Sequence, residues 1–208
     1  MQLINPSYKI LDIKDDLLGA YEAVELAGRT CYKSEGNIKY DENGRSTSAR
    51  DFVLKMVQSG HMAMLEHGTV YLTIPKLLNV WHFYEHNPYS RMVLDDEHVY
   101  ITTNLRVIWE HSLQDHFKYA VTATEHIRRY MVRLITDRGV SHEAVRHKKF
   151  SFAMESTRYC NYSKDRFNNE LTFILPPWFV DKEEGAYGEE EVDIMLNEEG
   201  QQRTDNRK

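Results

Sequence analysis

The chain has 208 residues, 41% of them apolar and 28% charged, with a formal net charge of −6; that length suffices for one domain with a core of its own. It contains no long apolar run, and its start, MQLINPSYKILD, lacks the basic-then-apolar pattern of a secretion signal, so the expectation is a cytoplasmic protein with no membrane partner. Two cysteines, Cys31 and Cys160, are too few for a disulfide framework or an all-cysteine metal site.

Along the chain, a strand around Leu3–Leu11 precedes DDLLGAYEAVELAGRTC, where Leu17, Tyr21 and Val24 recur at helical spacing and Gly28 offers a stop. The polar stretch KSEGNIKYDENGRSTS reads as a loop, and Ser46 to Ser48 cap a second helix bearing Phe52, Val53, Met56 and Val57 before Gly60. GTVYLTIP alternates Val70, Leu72 and Ile74 with polar partners, a half-buried strand ended by Pro75. SRMVLDDEHVYITTN predicts two short strands around a DDE turn, and NLRVIWEHSLQDHFKYA predicts one helix carrying Leu105, Ile108, Leu113 and Phe117. A strand at MVRLIT follows, then a DRG turn and a short helix capped by Ser141, with Glu143 closing a capping box. LTFILPPW is the last strand, and the acidic residues from Asp181 onward suggest a frayed helix or disorder. Helices and strands mix without regular βαβ alternation, which predicts an α+β fold with a mostly antiparallel sheet flanked by helices. The expected organisation is a single domain over residues 1–180, with an insertion at about 75–130, and an acidic tail over 181–208.

Charge is unevenly placed. From Asp181 onward there are ten acidic and four basic side chains, which leaves 22 of each in residues 1–180. Within that neutral body, Arg146, Lys148, Lys149, Arg158, Lys164 and Arg166 cluster against only Glu155 and Asp165. A local basic cluster suits a phosphate-bearing small molecule, whereas a nucleic acid favours an extended basic face, so no nucleic-acid partner is expected. Arg146, His147 and Lys148 are consecutive donors, followed by Ser151, Ser156 and Arg158, a set able to surround phosphate oxygens. Phe150, Phe152, Tyr159 and Tyr162 offer flat surfaces for a ring system. The competing reading is a solvated basic helix end followed by a strand of core aromatics, and spacing alone leaves both open. His82 and His86 have the i, i+4 spacing of a helical metal pair beside Glu85, but no third ligand is placed nearby, so no metal is expected.

RHKKFSFAMESTRY resembles the signature of flavin-dependent thymidylate synthases, Arg-His-Arg followed after seven residues by Ser and extended as Ser-x-Arg-Tyr. Arg146, His147, Ser156, Arg158 and Tyr159 match in register, Ser151 falls where the family has a serine, and Lys148 replaces the third arginine. Upstream, LEHGTVYLTI resembles the family's Glu-His strand and AGRTCYKS its N-terminal segment. The resemblance spans about Gln2 to Trp178 and implies a thymidylate-synthase-complementing-like fold.

The resemblance also implies roles. FAD would be held by His67, Thr69, Arg146, His147 and Lys148; dUMP would meet Glu143, Arg146, Glu155, Ser156 and Arg158, with Ser156 and Arg158 at the centre of the chemistry. The implied reaction converts dUMP to dTMP with methylenetetrahydrofolate and NADPH as co-substrates, in a homotetramer. Because the cofactor carries the redox step, the protein positions and polarises, and Ser156 is expected to bind rather than attack. Three departures stand out. Lys148 lacks the planar fork of arginine, Ala153 and Met154 replace polar residues, and only thirty residues follow Trp178, where the family continues with helices and a C-terminal arginine. The alternative implied is a non-catalytic relative that retains nucleotide or flavin binding.

Overall fold

The computed structural model describes residues 2–156, 160, 172–176 and 183–188. Its elements are β1 (Gln2–Ile4), β2 (Ser7–Leu11), α1 (Leu17–Cys31), α2 (Ala49–Gln58), β3 (Thr69–Pro75), α3 (His82–Glu85), β4 (Arg91–Leu94), β5 (His98–Asn104), α4 (Leu105–Glu110), β6 (Met131–Ile135), α5 (Arg138–Ala144), β7 (Thr172–Ile174) and β8 (Gly185–Ala186). The expected α+β class, with mostly antiparallel pairing, is what these elements form. β2 and β6 make a two-stranded sheet of their own. No helix among the described residues is long and apolar enough to cross a membrane.

The chain divides into two compact units: Ile10–Arg133 with Lys148–Tyr159, and Met1–Lys9 with Leu134–His147 and Cys160–Lys208. The first is built on an antiparallel sheet in the order β3-β5-β4, with Thr69 opposite Asn104, Pro75 opposite His98, and Arg91 opposite Thr102. Val70, Leu72, Ile74, Val99 and Ile101 are buried in one cluster with Ala20 and Val24 of α1, Val53 of α2, and Leu105 and Ile108 of α4. Each fully buried branched side chain there contributes about 1.5–3 kcal/mol.

α1 begins where the Asp16 carboxylate accepts the Gly19 N–H at 2.6 Å, the N-cap geometry that satisfies a first-turn donor. It does not stop at Gly28. That glycine sits inside the helix because a Cβ there would lie 2.7 Å from the Phe52 ring, so its role is close packing against α2; the helix runs to Cys31 and ends at Lys33, which is left-handed at φ 48°. The loop after α1 is fastened to it by ionic bonds. Glu25, fully buried, accepts from Arg29 Nε at 2.8 Å, Ser46 Oγ at 2.6 Å and Ser48 Oγ at 2.8 Å, and Arg45 spans Asp16 and Glu22.

Three further sequence expectations need correction. The first strand is two, β1 and β2, interrupted at Asn5–Pro6, because proline cannot donate to the ladder. The helix expected over 104–120 breaks after Glu110 at Ser112, left-handed at φ 56°, and continues only as a 3-10 turn over Gln114–Tyr119. α5 is capped by Asp137, whose carboxylate accepts the Val140 N–H at 3.0 Å, while Ser141 lies inside the helix and donates to the Arg138 carbonyl. Asp137 wins because it stands three residues before a first-turn donor, the spacing a capping side chain needs.

In the second unit β1 lies between β7, parallel to it, and β8, antiparallel. Leu3 and Leu175 form its small buried cluster, with Tyr187 packed alongside.

Candidate functional site

In the larger unit, the segment that carries the Ser-x-Arg signature is fastened residue by residue to two places: the C-terminal end of α1, and the Glu66-His67-Gly68 corner that leads into β3. Ser151 Oγ donates to Glu66 Oε2 at 2.9 Å. The Phe152 backbone faces the His67 ring, and Ala153 packs against the hydrophobic core. The Met154 backbone lies beside the Cys31 thiol, which itself donates to Met64 Sδ at 3.9 Å. Glu155 pairs with Lys33 at 3.9 Å, and the Ser156 N–H donates to the Cys31 carbonyl at 3.0 Å. Residues 151–156 thus form an irregular strap tied to other parts of the fold by the Ser151 hydroxyl, the Glu155 ion pair and the Ser156 N–H.

The corner beneath the strap depends on Gly68. A Cβ there would meet Leu105 Cδ1 at 2.6 Å, the Ala20 carbonyl oxygen at 2.7 Å and Val24 Cγ2 at 2.9 Å, so α1 and α4 approach this backbone more closely than any other residue allows. The Gly68 carbonyl accepts the Leu105 N–H at 2.8 Å, and Thr69 then opens β3, half-buried, opposite Asn104.

Electrostatics distinguish the groups gathered here. Burial holds the His67 imidazole below the ordinary histidine value, opposed by the adjacent Phe152 backbone and by the neighbouring Glu66 carboxylate. His67 Nε2 is buried and has no hydrogen-bond partner among the described residues; such an atom costs free energy unless something polar meets it. Burial raises the Glu155 carboxyl above its usual range, with Lys33 opposing and Glu35 adding to the rise. The Cys31 thiol is likewise pushed up by burial, eased by the Met154 backbone, so it is poorly suited to act as a thiolate.

Glu66 extends the corner in a second direction. Its Oε1 accepts from Arg106 Nη1 at 2.6 Å, and Arg106 Nε donates to Glu110 Oε1 at 2.7 Å. This chain of charges forms one side of a cleft of about 510 Å³, whose other walls include Phe83, Tyr89 and His111.

The sequence-predicted residues fall into two groups. His67, Thr69, Lys148, Glu155 and Ser156 belong to the larger unit, and within it His67, Glu155 and Ser156 are all tied to the strap; Lys148 is exposed just before it. Glu143, Arg146 and His147 belong to the smaller unit, at the C-terminal end of α5. There Arg146 Nη1 pairs with Glu143 Oε2 at 2.9 Å, both side chains well exposed, and His147 lines the same shallow shelf. Arg158 and Tyr159 lie outside the described residues. No group of three or more metal-ligating side chains able to hold an ion occurs among the described residues, His82 and His86 included.

Sequence reasoning missed Arg106 and the part played by Cys31 and Lys33. The Arg106–Glu110 pair has the i, i+4 spacing of a helical ion pair and was readable as such; that Arg106 reaches back across forty residues to Glu66 had no sequence signal. The family model described as thymidylate synthase complementing protein matches residues 95–205 of the chain. No curated protein and no solved structure matches it.

Proposed function

We propose that this chain, which belongs to the thymidylate synthase complementing protein family, is a flavin-dependent thymidylate synthase that methylates dUMP to dTMP with methylenetetrahydrofolate and NADPH as co-substrates. The observation that carries the reading is the strap, the segment that also bears the family signature, tied to the Glu66-His67 corner by the hydrogen bond from Ser151 to Glu66. The donor set suits FAD. In the larger unit the buried Nε2 of His67, without a hydrogen-bond partner among the described residues, offers a hydrogen bond to a polar ring edge; Lys148 of that unit, and Arg146 and His147 of the smaller one, are exposed and carry donors of the kind flavin phosphates need. When bound, reduced FAD supplies the hydride that completes the methyl group.

The chain's own residues bind and orient. Ser156 has its backbone N–H committed to the Cys31 carbonyl, which fixes the residue and presents its hydroxyl as a contact for dUMP. Glu155, half-buried and paired with Lys33, presents a carboxylate that accepts from the N–H of a uracil edge. Arg158 supplies the charge for the nucleotide phosphate, and Lys148 serves the cofactor as a single-point cation in place of a bidentate arginine. We read the working form as a cytoplasmic homotetramer.

A second reading is favoured by one observation. Ala153 packs, partly buried, against the hydrophobic core and Met154 is an exposed apolar side chain, so neither contributes a polar group, and a relative that binds nucleotide or flavin without turnover would tolerate both. One experiment separates the two. The purified chain is titrated with FAD by visible absorbance, then given dUMP labelled with tritium at C5 together with methylenetetrahydrofolate and NADPH. Flavin binding with tritium release is the expected result; flavin binding without release selects the second reading, and no flavin binding overturns both.

A further inference from the structure

One face of the β3-β5-β4 sheet is given to the core, through Val70, Leu72, Ile74, Val99 and Ile101. On the other face Tyr71, Thr102 and Arg91 stand in one cross-strand row. Residues 127–129 lie over this row: Thr102 Oγ1 donates to the Ile127 carbonyl at 2.8 Å, and the Arg129 N–H donates to the Tyr71 hydroxyl at 3.2 Å. Three arginines belong to the patch, and they are not alike. Arg128, over the Tyr71 ring, is paired with Asp15. Arg129 donates from Nη2 to the Tyr89 carbonyl at 2.6 Å and from Nη1 to the Thr103 carbonyl at 3.2 Å, and Arg91 donates from Nη1 to the Ser90 and Pro88 carbonyls at 2.7 and 3.1 Å. Neither Arg91 nor Arg129 has a carboxylate within ion-pair distance among the described residues. Asp95, Glu97 and Glu125 act instead on Tyr100, one row further along the same face. Burial holds Arg129 below the ordinary arginine value, opposed by Tyr71 and deepened by the nearby Arg91.

The carbonyls orient both cations without neutralising them. A half-buried guanidinium surrounded only by dipoles is costly, and a second cation beside it repels it; a ligand that spreads negative charge over several oxygens relieves both. With Nη1 of Arg91 committed, its Nε and Nη2 keep two parallel N–H donors on one edge, the pair that grips two oxygens of one oxyanion. Arg129 keeps its Nε–H. Arg91 is exposed and Arg129 half-buried, so an anion from solvent has access to the first, and its attraction to the second is weakly screened. We propose that Arg91 and Arg129 form a binding site for a phosphate group, free or as a monoester, gripped by the Nε–Nη2 edge of Arg91 with Arg129 as the second cation. Two cations facing one ligand match a dianion better than a carboxylate or chloride. The site lies within the larger unit, outside the strap, and does not depend on the synthase reading.

The test is calorimetric titration of the full chain with sodium phosphate and with ribose 5-phosphate, against sodium chloride at matched ionic strength, which separates a site from general screening. Phosphate or its monoester binds with millimolar affinity or better and raises Tm; chloride does neither. Arg91→Gln, at an exposed position, weakens the binding at least tenfold, and Arg91→Lys weakens it several-fold, because lysine keeps the charge and loses the fork. Arg129→Gln abolishes it, and the two Arg91 variants decide the matter if that variant fails to fold. Tighter binding of the monoester supports the site and assigns it to an organic phosphate; binding of inorganic phosphate alone supports it and assigns it to the free ion. Absence of binding by both probes overturns the proposal, as does equal affinity in wild type and Arg91→Gln. Binding that is lost in Arg158→Ala and kept in Arg91→Gln also overturns it, since the phosphate then sits elsewhere.

Discussion

Ser151 and Glu66, 85 residues apart in the chain, are joined by a 2.9 Å hydrogen bond from the Ser151 hydroxyl to the same carboxylate that Arg106 holds from the other side. The signature segment is therefore anchored to an ion pair rather than to a loop. Ser151→Ala removes the only side-chain bond between strap and carboxylate among the described residues. The substitution should lower unfolding stability by about 1 kcal/mol and weaken FAD binding several-fold, read by urea denaturation and by flavin absorbance. Unchanged values in both would mean the strap is held by its backbone bonds alone.

Gly68 shows how tightly that corner is built. An added methyl would press on the Ala20 carbonyl oxygen at 2.7 Å, which is backbone and cannot swing aside. Gly68→Ala should cost about 1–3 kcal/mol, the usual range for forcing a group into a packed site, and should displace His67 and Thr69, its direct neighbours. A thermal melt and a flavin titration check both effects. A variant as stable as wild type, with wild-type flavin affinity, would contradict the close approach described here.

How much of this was legible in the sequence follows from the range of the interactions. The β3, β4 and β5 strands and the two helices α1 and α2 were readable because their apolar spacing and flanking turn residues are local. The failures came where a tertiary partner overrode a local sign. Gly28 looks like a helix stop until the Phe52 ring is seen against it, and Ser141 looks like a cap until Asp137 takes the donor. The signature residues themselves were readable from their combination. Their anchors were not, since the Ser151–Glu66, Ser156–Cys31 and Glu155–Lys33 contacts each join segments distant in sequence.

Arg158 tests the nucleotide assignment from sequence alone. If it meets the dUMP phosphate, Arg158→Ala removes a charge-assisted contact of about 1.5–3 kcal/mol and weakens dUMP binding by roughly ten- to hundredfold, leaving FAD affinity near wild type. Equal dUMP affinity in the variant, measured calorimetrically, would remove Arg158 from the site.

His67 gives stability a dependence on pH with a definite sign. Its folded value is held below the ordinary 6.5 by burial, so as pH falls below that value the unfolded chain takes up a proton more readily than the folded one. The stabilisation is present above the ordinary histidine value and is lost as pH falls through the folded one. Melting temperatures followed from about pH 7 down to about pH 5 should drop more steeply for wild type than for His67→Gln, which has nothing to titrate in that range. Parallel slopes would show that His67 is solvated. Bound flavin that accepts a hydrogen bond from Nε2 would reduce the drop.

Glu155 has the opposite sign, and it separates stability from function. Its carboxyl is raised above 4.5, chiefly by burial, so the folded state holds its proton longer than the unfolded chain. The associated stability is full below the unfolded value and is lost as pH rises through the folded one. At neutral pH the wild type therefore carries the cost of an ionised, half-buried carboxylate that Lys33, 3.9 Å away, only partly offsets. Glu155→Gln removes that cost. It should melt above wild type at pH 7, with the gap closing as the pH approaches about 4, while its affinity for dUMP falls because the amide cannot act as an anionic acceptor. A variant that melts lower at pH 7 would show that the Lys33 pair outweighs burial, and one that keeps full dUMP affinity would remove Glu155 from the nucleotide site.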